Sequence, residues 1–128
     1  MDTQSDNKIL IIDDMTTITL QMNILLSKLG YEVTICHDVS GALKTFNDGV
    51  FRYITVDLLI PTEQDGYELL KNLKNRIKSG NIDTEIVVVS ARPKSEQENI
   101  CKDLGADYYV EKNENWQDEL TKIINRRI

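Results

Sequence analysis

Asp13 and Asp14 stand side by side directly after the apolar run "ILII", where a strand buried on both faces would end. Adjacent acids repel, and carboxylates are rarely buried without a partner. The same arrangement recurs along the chain. Asp57 closes "YITVD", Ser90 closes "TEIVVVS" and Lys112 closes "DYYVEK", whereas "YEVTIC" is followed by "HD" and offers nothing as clear. Three carboxylates brought together cannot all stay ionised without a cation, because like charges raise one another's pKa. Hard oxygen donors with room for water suit Mg²⁺ better than zinc. A compact ammonium at Lys112 and a hydroxyl at Ser90 would neutralise and orient a phosphoryl group. A carboxylate itself is the evident nucleophile. The set asks for a metal and a phosphate.

For these residues to meet, their strands must share a sheet and a direction. Between the strand-like runs lie helical stripes: Ile18, Met22, Leu25 and Leu29, closed by Gly30; Val39, Leu43 and Phe46, ending near "NDG"; Leu70, Leu73 and Ile77, ended by "SGN". "DLLIPTEQDG" reads as a loop, with Pro61 and Gly66 as turn residues. Pro93 opens a fourth helix held to the core by Ile100, Cys101 and Leu104, a thin stripe that implies weak anchoring. Asn115 reads as an N-cap for a last helix containing Leu120, Ile123 and Ile124, with Trp116 packing one turn before Leu120. Five strands alternating with five helices predict an α/β, doubly wound parallel sheet covered on both faces. Such folds bind ligands beyond the carboxyl ends of the strands, where strand order reverses.

A chain of 128 residues, 41% hydrophobic and 28% charged, is the size and composition of a single globular domain, here 1–128 with a polar tail at 1–7. No apolar run approaches the roughly 20 residues of a membrane span, and the acidic start is unlike a secretory signal, so a cytoplasmic location without membrane contact is expected. A net charge of -6 argues against nucleic acid as a direct partner, and the basic end "NRRI" reads as a solvated helix tip. Cys36 and Cys101 fit neither a disulfide framework nor a metal motif, and read as buried free thiols. His37 reads as a surface or loop residue.

"LIIDDM", "VDLLIP" with "DG" soon after, "VVVSA" and "GADYYVEK", in that order, resemble the response regulator receiver domain of two-component signalling and phosphorelays. The resemblance runs from about residue 8 to the end. It implies a flavodoxin-like sheet of order 2-1-3-4-5. It also implies that Asp57 accepts a phosphoryl group from a phosphohistidine of a histidine kinase or histidine phosphotransfer protein. Mg²⁺ (or Mn²⁺) would be held by Asp13, Asp14, Asp57 and the backbone carbonyl of Leu59. Ser90 would bond a phosphoryl oxygen, Lys112 would pair with Asp57 or its phosphate, and Tyr109 would be the switching aromatic, moving inward when Ser90 is drawn to the phosphoryl group. Such a domain is a phosphoacceptor rather than an enzyme, catalysing at most its own phosphorylation and dephosphorylation. It alters binding to a downstream protein target, in some members by a phosphorylation-dependent dimer. No output domain follows the last helix, so a stand-alone receiver is the simplest expectation.

Three positions depart from the family pattern. Asp57 and Gly66 are nine apart, one more than usual, which places the shape of that loop in question. Lys112 is followed by Asn113 in place of the family's proline, so the bond between them is expected trans, since a cis bond there costs roughly 2.5–4 kcal/mol. Leu59 and Arg92, two residues after Asp57 and Ser90, border the approach of water; apolar Leu59 is expected to lengthen the lifetime of the phosphoryl group, and Arg92 either to shield the phosphate or to bind a partner. Leu20 and Ile24 fall roughly 120–160° off the main stripe of the first helix. They are candidates either for packing under a neighbour or for docking a histidine-bearing helix.

The competing functions are weaker. An FMN-binding redox protein needs a glycine- and hydroxyl-rich phosphate loop, and "DDMTTIT" puts two acids there instead. An aspartyl-phosphate phosphatase needs a second acid two residues beyond its nucleophile, where this chain has Met15 and Leu59. A receiver-like binding module that is never phosphorylated is the remaining alternative, kept open by the altered loop.

Overall fold

In the computed structural model, which describes residues 7–125, the chain alternates strictly: β1 Lys8–Ile12, α1 Thr16–Lys28, β2 Glu32–Cys36, α2 Val39–Asp48, β3 Tyr53–Val56, α3 Glu63–Gly80, β4 Glu85–Ser90, α4 Lys94–Asp103, β5 Tyr108–Glu111 and α5 Trp116–Asn125. All five strands are parallel, in the order β2-β1-β3-β4-β5. Because successive side chains of a strand point to opposite faces, each central strand feeds two cores. Leu10, Ile12, Ile54, Val56, Ile86 and Val88 face α2, α3 and α4; Ile9, Ile11, Tyr53, Val87 and Val89 face α1 and α5. Covering both faces buries these runs completely, which is why they show no polar alternation. No described helix is long and apolar enough to cross a membrane.

The strand order reverses between β1 and β3, each of which leaves its neighbour in the opposite direction along the sheet. Ladder hydrogen bonds continue one residue past the strands: Asp13 N–H donates to Cys36 O at 3.1 Å, Asp57 N–H to Ile12 O at 3.0 Å and Lys112 N–H to Ser90 O at 2.7 Å. The residues after the strands are therefore held as firmly as the strands themselves.

Several local expectations change. Gly66 is not a turn residue: α3 begins at Glu63, and the loop is Asp57–Thr62. The helix starts early because Thr62 and Asp65 form a capping box, each side chain accepting from the other residue's backbone N–H. Gly66 lies in the first turn against the backbone of Leu58, where an added Cβ would sit 2.1 Å from the Leu58 carbonyl oxygen. At the far end Asn81, not Gly80, adopts the left-handed conformation, with φ 51°. Pro93 is the N-cap of α4 rather than its first helical residue. Ile100, expected in the core, is 43% exposed, while Cys101 and the polar Gln97 are buried. Cys101 is a buried free thiol and Cys36 a half-buried one. His37 is exposed and Trp116 packs into the α1/α5 core. The terminal residues 1–6 and 126–128, which include most of the N-terminal tail and the basic end, lie outside the described residues.

Candidate functional site

At the carboxyl edge of β1 and β3, Asp13 and Asp57 are both buried, at 1% and 4% exposure, while Asp14 beside them is exposed. One carboxylate oxygen from each of the three lies within 4.8 Å of the others. Lys112, arriving from β5, places Nζ 3.0 Å from Asp13 Oδ2 and 3.2 Å from Asp57 Oδ2, with its side chain 7% exposed. A single ammonium thus faces two buried carboxylates, an incomplete neutralisation. The consequence appears at Asp57, whose carboxyl is pushed up from 3.8 to about 6 by burial first and by the Asp13 charge second, against the pull of Lys112.

Backbone donors fix both acids. Leu59 N–H donates to Asp57 Oδ1 at 3.2 Å, and Met15 N–H to Asp13 Oδ1 at 2.9 Å. Asp13 Oδ2 has no aligned hydrogen bond despite the nearby ammonium. A buried carboxylate oxygen without an aligned partner, among three hard donors, is the chemistry of a divalent cation site. With one oxygen from each within 4.8 Å of the others, the three acids could hold a hard divalent cation.

Ser90 is fully buried at the end of β4, its Oγ accepting from Arg92 N–H at 3.2 Å and its hydroxyl hydrogen-bonded to the Tyr109 phenol. Tyr109 is 2% exposed, and its hydroxyl donates to the Arg92 carbonyl at 2.8 Å. Burial pushes its phenol up to about 12, so it stays a donor. Its ring lies inward, in the core shared with α2, α3 and α4. The Arg92 backbone thereby touches both Ser90 and Tyr109. The Arg92 side chain pairs with Glu63 at 3.4 Å and with Glu96 at 3.6 Å. Leu59 is 39% exposed at the mouth of the site. Leu20 and Ile24 are 59% and 51% exposed on α1, outside the core as their spacing predicts. The Lys112–Asn113 bond is trans, and the cis bond among the described residues is Ile60–Pro61, inside the loop with the extra residue.

Sequence reasoning missed Glu63 and Gln97. Glu63 falls in a stretch that reads as loop, and its pairing with Arg92 depends on α3 beginning there. Gln97 Oε1 accepts from Tyr67 OH at 2.6 Å, joining α4 to α3. A lone glutamine on a thin apolar stripe gave no signal of burial.

Residues 9–125 match the response regulator receiver domain. The chain is 29% identical over 117 residues to the transcriptional regulatory protein CpxR of Klebsiella pneumoniae, covering 91% of this chain and 47% of the relative. It spans about half the length of the curated relatives it matches. Among solved structures it is similar to a response regulator of Burkholderia pseudomallei with a phosphorylated aspartic acid and a calcium ion, at 27% identity and a TM-score of 0.77, covering 90% of this chain and 65% of that one. It is also similar to TrrA of Thermotoga maritima in complex with Mg²⁺ and BeF, at 25% identity and a TM-score of 0.79, covering 95% and 99%. With the match extending over all ten elements, the chain belongs to the response regulator receiver domain family.

Proposed function

We propose that this receiver domain is a phosphorylatable switch whose acceptor is Asp57. The observation that carries the reading is the buried triangle of Asp57, Asp13 and Lys112, two carboxylates sharing one ammonium with a third acid at their side. An Asp57 oxygen attacks the phosphorus of a phosphohistidine on a kinase or phosphotransfer protein. The phosphorus–nitrogen bond breaks, its electron pair leaves with the imidazole, and that nitrogen takes a proton from solvent. A Mg²⁺ held by Asp13, Asp14, Asp57 and the Leu59 carbonyl would supply positive charge to the phosphoryl oxygens. Lys112 shares that task, and the Ser90 hydroxyl donates to a phosphoryl oxygen.

The readout runs through Arg92, whose N–H holds Ser90 Oγ and whose carbonyl holds Tyr109. A shift of Ser90 toward the phosphoryl group displaces the residue that anchors Tyr109. Tyr109 lines a cleft of about 260 Å³ with Tyr108 of β5 and residues of α4 and α5, including Lys94 and Lys122, and this face is where we place the downstream partner. Leu20 and Ile24 are assigned to docking of the histidine-bearing helix, and Ile24 borders a cleft of about 160 Å³ between α1 and α5. Half-exposed Leu59 offers water no hydrogen bond, so Leu59→Asn shortens the phosphoryl lifetime; an unchanged lifetime removes that role.

Intact mass after incubation with acetyl phosphate tests the acceptor. Wild type gains one phosphoryl group only with Mg²⁺, and Asp57→Asn gains none. An adduct on Asp57→Asn places the acceptor at another residue, and none on wild type with either acetyl phosphate or a phosphorylated kinase points instead to an unphosphorylated binding module. A second arm uses pH. The folded metal-free chain binds the Asp57 proton more tightly than the unfolded chain does, so the stability that group contributes is complete below about pH 4 and lost as pH rises through about 6. Metal-free Asp57→Asn therefore unfolds at higher urea than wild type at about pH 8, and the gap closes in acid.

A further inference from the structure

One groove at the edge of the sheet opposite the carboxylates is lined by lysines. α3 runs antiparallel to the strands, so its C-terminal half reaches this edge, beside the turn that joins α4 to β5. Between them lies a groove of about 470 Å³ lined by Lys71, Lys74, Lys78 and Lys102, with Asp103 as the acid on its rim. Four ammoniums against one carboxylate is a local inversion in a chain of net charge -6. Lys71 has Glu68 at 3.7 Å and Lys102 has Glu98 at 3.4 Å, whereas neither Lys74 nor Lys78 pairs with a carboxylate within 4.0 Å among the described residues. Lys74 is held in place by its stem: a Cβ at Gly105 would come within 2.6 Å of both its Cβ and its Cγ. Only a glycine there, at φ +119°, lets the turn close over this lysine.

We propose that this groove docks an acidic segment of a partner protein. The ammoniums of α3 sit three and four residues apart, so their stems rise along the helix in steps of about 4.5 and 6 Å. That spacing suits separate carboxylates distributed along a chain rather than one compact phosphate. A phosphate would also need backbone donors, and the N–H groups of Leu104, Gly105 and Ala106 are all spent on carbonyls of α4. Nucleic acid fits worse. The groove offers no aromatic ring for base stacking and no arginine for base edges, and the net charge repels a polyanion at long range. The surface is separate from the phosphoacceptor edge and does not depend on Asp57.

Fluorescence polarisation with a labelled deca-glutamate peptide tests it on the whole chain. Binding is expected to fall about tenfold between about 50 and 200 mM salt, as exposed ammonium–carboxylate contacts do. Lys74→Gln/Lys78→Gln is expected to weaken binding at least about fivefold, and the charge-matched Lys8→Gln/Lys44→Gln less than about twofold. Should the first variant melt early because the packed stem is lost, Lys78→Gln/Lys102→Gln leaves that stem intact and must show the same loss. Equal loss in the matched control, no measurable binding of the peptide, or tighter binding of an oligo-dT strand or of tripolyphosphate overturns the proposal.

Discussion

Helices α3 and α4 both cover the same core face of the sheet and both begin at the acceptor edge, yet they are built differently. α3 has 18 residues, a capping box at Thr62 and Asp65, and five buried positions from Gly66 to Ile77. α4 has 10 residues, no side-chain cap at Pro93, and only Gln97 and Cys101 buried. One is a fixed wall; the other is fastened by a thiol, by hydrogen bonds from Tyr67 OH to Gln97 and from Lys94 N–H to Glu111, and by a ring of surface charges. The difference teaches where a small perturbation at Ser90 can be absorbed. A helix with few apolar contacts has opening free energies well below the global value, and α4 follows directly from Ser90 and Arg92.

Four substitutions break or sharpen this contrast. Gly66→Ala forces a methyl into the Leu58 backbone and should cost about 3 kcal/mol in urea unfolding, the overpacking of a rigid contact. A loss under about 1 kcal/mol would show that the wall yields. Gln97→Ala removes the acceptor 2.6 Å from the partly buried Tyr67 hydroxyl and should cost about 1.5 kcal/mol. Native-state hydrogen exchange should then quicken in α4 and leave α3 unchanged; equal loss of protection in both would make them one unit. Thr62→Ala removes the cap and should cost about 1 kcal/mol, confined to the first turn of α3. Glu63→Gln removes one of the two carboxylates paired with Arg92, leaving Glu96, and should change stability by no more than about 0.5 kcal/mol. Any large change in phosphoryl lifetime in that variant then reports the position of Arg92 rather than a weakened fold.

The alternation of elements was legible because parallel strands buried on both faces read as unbroken apolar runs, and the five polar residues that close them stand out against that background. The order of strands came from resemblance, not from periodicity. What escaped was set by contacts between elements. "DG" reads as a turn wherever it occurs, so Gly66 was misplaced; only the closeness of Leu58 explains why glycine is there. Ile100 was counted in the core on hydrophobicity, but α4 turns that position to solvent and buries Gln97 instead. Lys71, Lys74 and Lys78 look like any solvated helix face until Lys102 and Gly105 close the groove around them.

Trp116, the one tryptophan, lies in the core shared by α1 and α5, on the other side of the sheet from α3 and α4. Tryptophan emission of this protein is therefore a one-sided optical probe. It follows the loosening of the α1/α5 layer and is blind to an α4 that detaches while the sheet stays intact. Urea curves followed by tryptophan emission and by far-ultraviolet circular dichroism should superimpose only if the two layers part together. A dichroism loss that precedes the emission change would reveal the α2–α4 layer coming away first.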